Sequence, residues 1–177
     1  YGLSETNPIV TGPDTILYDL SLTESGTRYG GRRQRGSTYF AIPVSGNAQL
    51  LADARKAMWD ARYLCRGRPV IGKISCLSSG KMPSWYETDG PANLGDPDAG
   101  PARMVEMRAY ADGKHSPEIV DAQGNPITDL DAIFANRQAG RGRRPLHAQV
   151  AFFYEPYWGH GVQNVSRRLL KVQIFGA

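Results

Sequence analysis

Two short segments of the chain gather arginine between glycines. Residues 28–35, RYGGRRQR, and residues 137–144, RQAGRGRR, each contain four arginines and no acidic residue. A guanidinium group can bind a phosphate through two parallel hydrogen bonds or stack on a base, and glycine lets the backbone follow an irregular anion. One such segment could equally be solubilising surface charge, but two of them favour binding of a polyanion. The arginines concerned are Arg28, Arg32, Arg33, Arg35, Arg137, Arg141, Arg143 and Arg144.

Aromatic residues accompany both segments. Tyr29 lies inside the first segment and Tyr39 shortly after it, whereas Tyr154, Tyr157 and Trp158 follow the second. Aromatic rings stack on unpaired bases, whose faces a duplex would hide, and each stacked base contributes about 1–3 kcal/mol. The combination therefore predicts that the polyanion is a single-stranded nucleic acid.

Side chains alternate between the two faces of a strand, so only some of the strand aromatics can face a ligand. Phe152 and Tyr154 would share one face of a strand while Phe153 takes the other, and Tyr39 and Phe40 divide in the same way. One face of each strand must pack in the core. The sequence therefore does not decide which of these rings faces a ligand.

Residues that could support catalysis are sparse. The three histidines are far apart in the sequence, and neither a phosphate-binding loop with its lysine nor a serine nucleophile motif is present. Asp129 and Asp131 could share one strand face and hold a metal, but we prefer to interpret them as acids near the start of a helix. We predict a protein that is not an enzyme and that needs neither a cofactor nor a metal.

Composition and length set the remaining bounds. The 177 residues include 21 Lys and Arg against 17 Asp and Glu, which gives a net charge of +4 and a pI near 9.2. This length predicts a single domain, 1–177. No apolar run reaches the ~18 residues of a membrane-spanning helix, so we expect no membrane partner. Cys65 and Cys76 are expected to be reduced thiols, with a disulfide as the alternative.

Hydrophobic patterning predicts the elements that must position these residues. Alternation of apolar and polar residues predicts a strand at 15–23, and the patterns of apolar and β-prone residues predict further strands at 38–44, 70–77, 103–110, 149–154 and 168–175. A three-and-four spacing of apolar residues predicts one amphipathic helix over about 47–65, with a stripe of Leu51, Ala54, Met58, Ala61 and Cys65. The connections are a basic loop at 24–37, an acidic excursion loop at 78–101 and a second basic loop at 137–145.

This inventory predicts a mainly β fold. Short strands, long loops and a single helix are typical of the oligonucleotide-binding (OB) fold, a five-stranded, partly open barrel. We therefore expect an OB-fold-like barrel whose first two strands are joined by the loop at 24–37.

Four stretches of the sequence also resemble a family of bacteriophage single-stranded DNA-binding proteins. They begin with TYFAIPVSGNAQLLADARKAMWDA and continue with SPEIVDAQGNPITD, AQVAFFYEP and GVQNVSRRLLKVQ, and the resemblance runs in order from about Ile16 to Phe175. It implies an OB-fold protein, in the cytoplasm of a bacterial host, that coats DNA exposed during phage replication or recombination. The first loop of this chain is longer and richer in arginine than we expect of the family.

We therefore predict largely sequence-independent binding of single-stranded DNA, with weaker binding of duplex DNA or RNA left open. Phage or host replication proteins are the further partners that this role implies, and the oligomeric state is not predicted. Two alternatives remain: a DNA-processing enzyme, such as a metal-dependent nuclease or an annealing protein, and a structural phage protein that contacts nucleic acid.

Overall fold

The computed structural model describes the following residues: 1–19, 38–43, 48–63, 78–79, 103–109, 114–128, 146–159 and 162–176. The predicted basic loops at 24–37 and 137–145 and the predicted strand at 70–77 lie outside them, as does the acidic excursion loop after Ser79.

Within the described residues the chain forms eight strands and one helix. The strands are β1 (Ile9–Val10), β2 (Tyr18–Asp19), β3 (Thr38–Pro43), β4 (Ser78–Ser79), β5 (Arg103–Ala109), β6 (Glu118–Val120), β7 (His147–Gly159) and β8 (Val162–Gly176). The helix α1 (Ala48–Tyr63) lies between β3 and β4 in the chain. The predictions of a mainly β fold and of a helix over about 47–65 are confirmed.

The strands form one mixed sheet. Its main path runs β1–β7–β8–β5–β3–β2, with β4 paired to β5 and β6 paired to β8. The pairs β5–β8 and β6–β8 are parallel, and the others are antiparallel. Strands β7 and β8 run well beyond the predicted ends, because they pair with each other along their length as one long antiparallel hairpin.

The segment just before β2, which is one end of this path, also contacts the start of β7. Leu17 N donates a hydrogen bond to Leu146 O over 3.0 Å, and Ala148 N donates to Thr15 O over 2.9 Å. Together they form an isolated antiparallel bridge at Ile16 and the first residue of β7. Among the described residues this is a bridge rather than a strand pair, so the five-stranded barrel stays a prediction.

The core lies between the sheet and α1. Among the helix residues whose burial the structure describes, Leu50, Ala54, Ala57 and Ala61 are buried, and the helix packs against β7 and β8. Ala54 and Ala61 belong to the predicted stripe, and Leu50 and Ala57 are buried in addition. Alanine carries no bulky side chain, so the helix axis can come close to the sheet.

The N-terminal segment lies along one edge of β7. Ile9 and Val10 are register partners of Phe152 and Ala151, and Tyr154 N donates a hydrogen bond to Gly2 O over 2.8 Å. Neither β1 nor β6 is predicted from the sequence. Both are short and depend on partners far away in the chain. No helix in the described part of the chain is long and apolar enough to span a membrane.

Candidate nucleic-acid interface

Most predicted site residues lie in segments that join the described strands. The arginine-rich residues 28–35 belong to the connection from β2 to β3, and residues 137–144 belong to the segment that precedes β7. The described strands β2 and β3 flank the first segment, and β7 follows the second. The residues outside the described ranges are Arg28, Tyr29, Arg32, Arg33, Arg35, Arg137, Arg141, Arg143 and Arg144.

Tyr39 lies at one end of a row of register partners that crosses four strands. Tyr39 on β3 is opposite Arg108 on β5, Arg108 is opposite Arg168 on β8, and Arg168 is opposite Phe153 on β7. Across the sheet, the row thus has an aromatic residue at each end and two arginines between them. Tyr39 is the second residue of β3, so the arginine-rich connection from β2 ends directly beside this row.

Beyond the other end of the row, β7 and β8 continue as a two-stranded arm. Tyr157 is the register partner of Asn164, and Trp158 is the register partner of Gln163. These positions are four and five residues past Phe153, or about 13–17 Å along an extended strand. The arm and the arginine-rich connection therefore leave the sheet at opposite ends of the row.

Tyr154 is a core residue. Its side chain is 0% exposed, and its ring meets the ring of Phe152 edge-on with centroids 5.9 Å apart. A ring with no exposed surface cannot stack on a base, so the prediction that Tyr154 binds nucleic acid is corrected. Phe40 is likewise fully buried, which identifies it as the core member of the Tyr39 and Phe40 pair.

The opposite face of β7 is covered at Phe153, which is only 3% exposed. The guanidinium carbon of Arg168 lies 5.3 Å from the centroid of the Phe153 ring. Arg168 Nη1 donates a hydrogen bond to Glu155 Oε1 over 3.2 Å, and Arg168 Nη2 lies 3.6 Å from Glu5 Oε1. A cation that stacks on a ring and is bound by carboxylates is held in a defined orientation.

Sequence reasoning did not single out Arg108 or Arg168, and it left open whether Phe153 faces the core or a ligand. Buried Val105, Met107 and Ala109 alternate along β5, so Arg108 could have been assigned to the other side of that strand from the pattern alone. The pairing of Arg108 with Arg168 could not have been predicted in this way, because the two residues are 60 positions apart in the chain (168 − 108) and no local pattern encodes their register.

The described residues offer no metal site. No cluster of three or more His, Cys, Asp or Glu side chains with suitable geometry occurs among them. His147 Nδ1 lies 3.0 Å from the carbonyl oxygen of Asp14, so its ring contacts backbone. Asp129 and Asp131, the predicted alternative metal ligands, lie outside the described residues.

No protein-family model matches the chain, and no curated protein sequence matches it. The fold, however, is similar to that of the single-stranded DNA-binding protein from bacteriophage Enc34. The C-terminally truncated form of that protein matches with a TM-score of 0.54 at 10% identity, over 98% of this chain and 87% of the other. Its complex with single-stranded DNA matches with a TM-score of 0.54 at 11% identity, over 98% and 88%.

A second phage protein shares the fold. It is gp2.5, a single-stranded DNA-binding protein encoded by bacteriophage T7, with a TM-score of 0.50 at 12% identity over 96% of this chain and 86% of the other. At such identities the similarity concerns the fold, and it agrees with the resemblance of the sequence motifs.

Proposed function

We propose that this protein binds single-stranded DNA with little sequence preference and is not an enzyme. In this proposal it is a phage protein that protects and organises DNA strands exposed during replication and recombination, in the cytoplasm of the bacterial host. The observation that carries the proposal is the row Tyr39, Arg108, Arg168 and Phe153, flanked by the arginine-rich connection and by the arm of β7 and β8.

The finer fold proposal is an OB-fold barrel made of β2, β3, β5, β8 and β7. The bridge at Ile16 and His147 joins the two ends of that series. The series is mixed because β5 and β8 pair in parallel whereas its other strand pairs are antiparallel. In OB folds, nucleic acid lies on the face of the second and third barrel strands and contacts two loops. Here those strands are β3 and β5, and the two loops are residues 20–37 and the end of the β7–β8 arm.

The chemistry of the flanking segments fits a flexible, unpaired strand. The arginines at 28–35 and 137–144 would bind phosphates, and Tyr29, Tyr39, Tyr157 and Trp158 would stack on bases. A base in a duplex has no free face for these rings. The fold shared with the Enc34 protein, whose complex with single-stranded DNA it matches, supports the same ligand for this chain.

Competition binding tests the proposal. A fluorescein-labelled oligo-dT is bound to the protein, and unlabelled single-stranded DNA, duplex DNA and RNA of equal length compete across a salt series. We expect single-stranded DNA to compete best and the affinity to fall with salt, with a slope of about −0.7 per phosphate contact. A slope near zero, or equal competition by duplex DNA, would contradict the proposal.

Two further assays address the alternatives. Labelled single strands incubated with the protein and Mg²⁺ or Mn²⁺ should stay intact, whereas metal-dependent cleavage would identify a nuclease and direct attention to Asp129 and Asp131. Phage or host replication proteins are the proposed further partners, and co-purification with them from infected cells would support the replication role.

A further inference from the structure

Arg168 has both terminal nitrogens directed at carboxylates. Nη1 lies 3.2 Å from Glu155 Oε1 and Nη2 lies 3.6 Å from Glu5 Oε1, while the guanidinium carbon lies over the ring of Phe153, 5.3 Å from its centroid. The side chain remains 21% exposed. Arg168 is thus held by three neighbours and can still be reached from solvent.

The two carboxylates are held very differently. Glu155 is on β7, two residues after the register partner of Arg168, and its side chain is 33% exposed. Glu5 belongs to the turn between Ser4 and Asn7, is 63% exposed, and makes the longer contact. Water screens an exposed ion pair of this kind, so it contributes little to stability. Glu5 can therefore leave Arg168 at low cost, whereas Glu155 stays in place.

The position of the Glu5 carboxylate suits another anion. A phosphate oxygen would make the same charge-assisted contact with Nη2. Arg168 is also the register partner of Arg108, which lies opposite Tyr39, so this position is in line with the row proposed to carry the DNA. The stacked ring of Phe153 keeps the guanidinium group in place when one of its carboxylates departs.

We propose that Arg168 binds a backbone phosphate of the single-stranded DNA, and that the Glu5 carboxylate occupies this phosphate position in the free protein. DNA binding then exchanges one anion for another at Nη2 and releases Glu5 to solvent. The inference rests on the proposed function and adds to it a contact on the sheet and a carboxylate that competes with the ligand.

The chain contains a matched control for Glu5. Glu118 is 64% exposed, and its Oε2 lies 3.9 Å from Nζ of Lys171, a cation three residues after Arg168 on β8. Glu118→Gln and Glu5→Gln therefore raise the net charge equally, and each removes an exposed carboxylate from a cation on the same strand. Only Glu5→Gln vacates the proposed phosphate position.

The experiment measures the dissociation constant for fluorescein-labelled oligo-dT by anisotropy, with the wild-type protein and four variants: Glu5→Gln, Glu118→Gln, Arg168→Gln and the double variant Glu5→Gln with Arg168→Gln. We expect Glu5→Gln to bind about 2–5-fold more tightly than Glu118→Gln. Arg168→Gln should bind more weakly, with a salt slope that is shallower by about 0.7. The double variant should bind like Arg168→Gln, because Glu5 acts only through the guanidinium group.

Two outcomes would overturn the inference. The first is equal affinity of Glu5→Gln and Glu118→Gln, and the second is an undiminished gain from Glu5→Gln in the Arg168→Gln background. Thermal melting identifies any variant that does not fold, and if Arg168→Gln is one of them, the comparison of Glu5 with Glu118 still decides. If the wild-type protein does not bind oligo-dT, the proposed function fails. If it binds and the two glutamate variants are equal, only this inference fails.

Discussion

The carbonyl oxygen of Gly2 accepts a hydrogen bond from the backbone amide of Tyr154 over 2.8 Å, and this contact holds the N-terminal segment against β7. Gly2 has a φ of +77°, and a Cβ at this position would lie 2.8 Å from Ile9 Cγ1 and 3.0 Å from Ala57 Cβ. Gly2 is therefore fitted tightly between β1 and α1, in a backbone conformation that other residues rarely adopt.

Gly2→Ala should lower the free energy of unfolding by about 2–4 kcal/mol, because it combines strain at positive φ with overpacking. Thermal melting measures the loss. Gly124→Ala is the matched control, since Gly124 has a φ of +85° but nothing within 4 Å of an added Cβ. It should show only the conformational strain of about 1–2 kcal/mol. Equal losses in the two variants would mean that crowding at Gly2 is unimportant.

Thr11 continues the hydrogen-bond ladder of β7 with its side chain. Val150 N donates to Thr11 Oγ1 over 3.0 Å at a buried position. Thr11→Val leaves this amide without its acceptor and should cost about 1–3 kcal/mol of stability in a denaturant titration. Thr15→Val is the comparison, because Thr15 Oγ1 donates to the carbonyl of exposed Gly12, which water can solvate instead. A larger loss from Thr15→Val would contradict this explanation.

Tyr154 should affect stability and not DNA binding. Tyr154→Leu removes a buried ring and its edge-on contact with Phe152, so the melting temperature should fall, with a cost of about 1–3 kcal/mol. Anisotropy measured well below the melting temperature should give the wild-type affinity for oligo-dT. A fully folded variant with clearly reduced affinity would restore Tyr154 to the interface.

Trp158 should have the opposite effect. Trp158→Ala removes a ring from the arm of β7 and β8 and should cost about 1–3 kcal/mol of binding free energy if the ring stacks on a base. Phe175→Ala is the control, since Phe175 is a 40% exposed ring on β8 that lies outside the arm and the row. Comparable losses in both variants would point to a general effect of exposed aromatic area.

The arginine-rich connection should contribute affinity without sequence preference. Changing Arg32, Arg33 and Arg35 together to Ala should weaken binding of different single-stranded sequences to the same extent, and should reduce the salt slope by about 0.7 for each phosphate that is no longer bound. The control changes the exposed cations Arg55, Lys56 and Lys114 to Ala, which removes the same charge from elsewhere. Equal effects would show that net charge matters and that its location does not.

Local patterns predicted the elements that they encode. The alternation around Phe40 predicts β3, and the spacing of apolar residues after Asn47 predicts α1, because each pattern describes the face that the element buries. The short strands β1 and β6 escaped prediction. Each consists of two or three residues whose hydrogen-bond partners lie about 50 or more positions away in the chain, and no local pattern encodes such a partner.

In the candidate site, too, the sequence predicts local features but not those that depend on distant partners. The arginine-rich segments and the aromatic arm are visible in the sequence as compositional features. The assignment of Tyr154 failed because β7 is covered on both faces, by the core on one side and by Arg168 on the other, so alternation could not distinguish an interior ring from a ligand-binding one. The row through Arg108 and Arg168 depends on strand register, which only the folded chain defines.

The N-terminal segment has a consequence for how the protein behaves at high concentration. Between Gly2 and Leu17 this segment forms hydrogen bonds along the outer edge of β7. Its oxygen atoms accept hydrogen bonds from the backbone amides of Ala148, Val150 and Tyr154. An uncovered edge of this length would be a template for strands of neighbouring molecules. By covering this edge, the segment leaves fewer unpaired backbone groups of β7 with which a second molecule could pair.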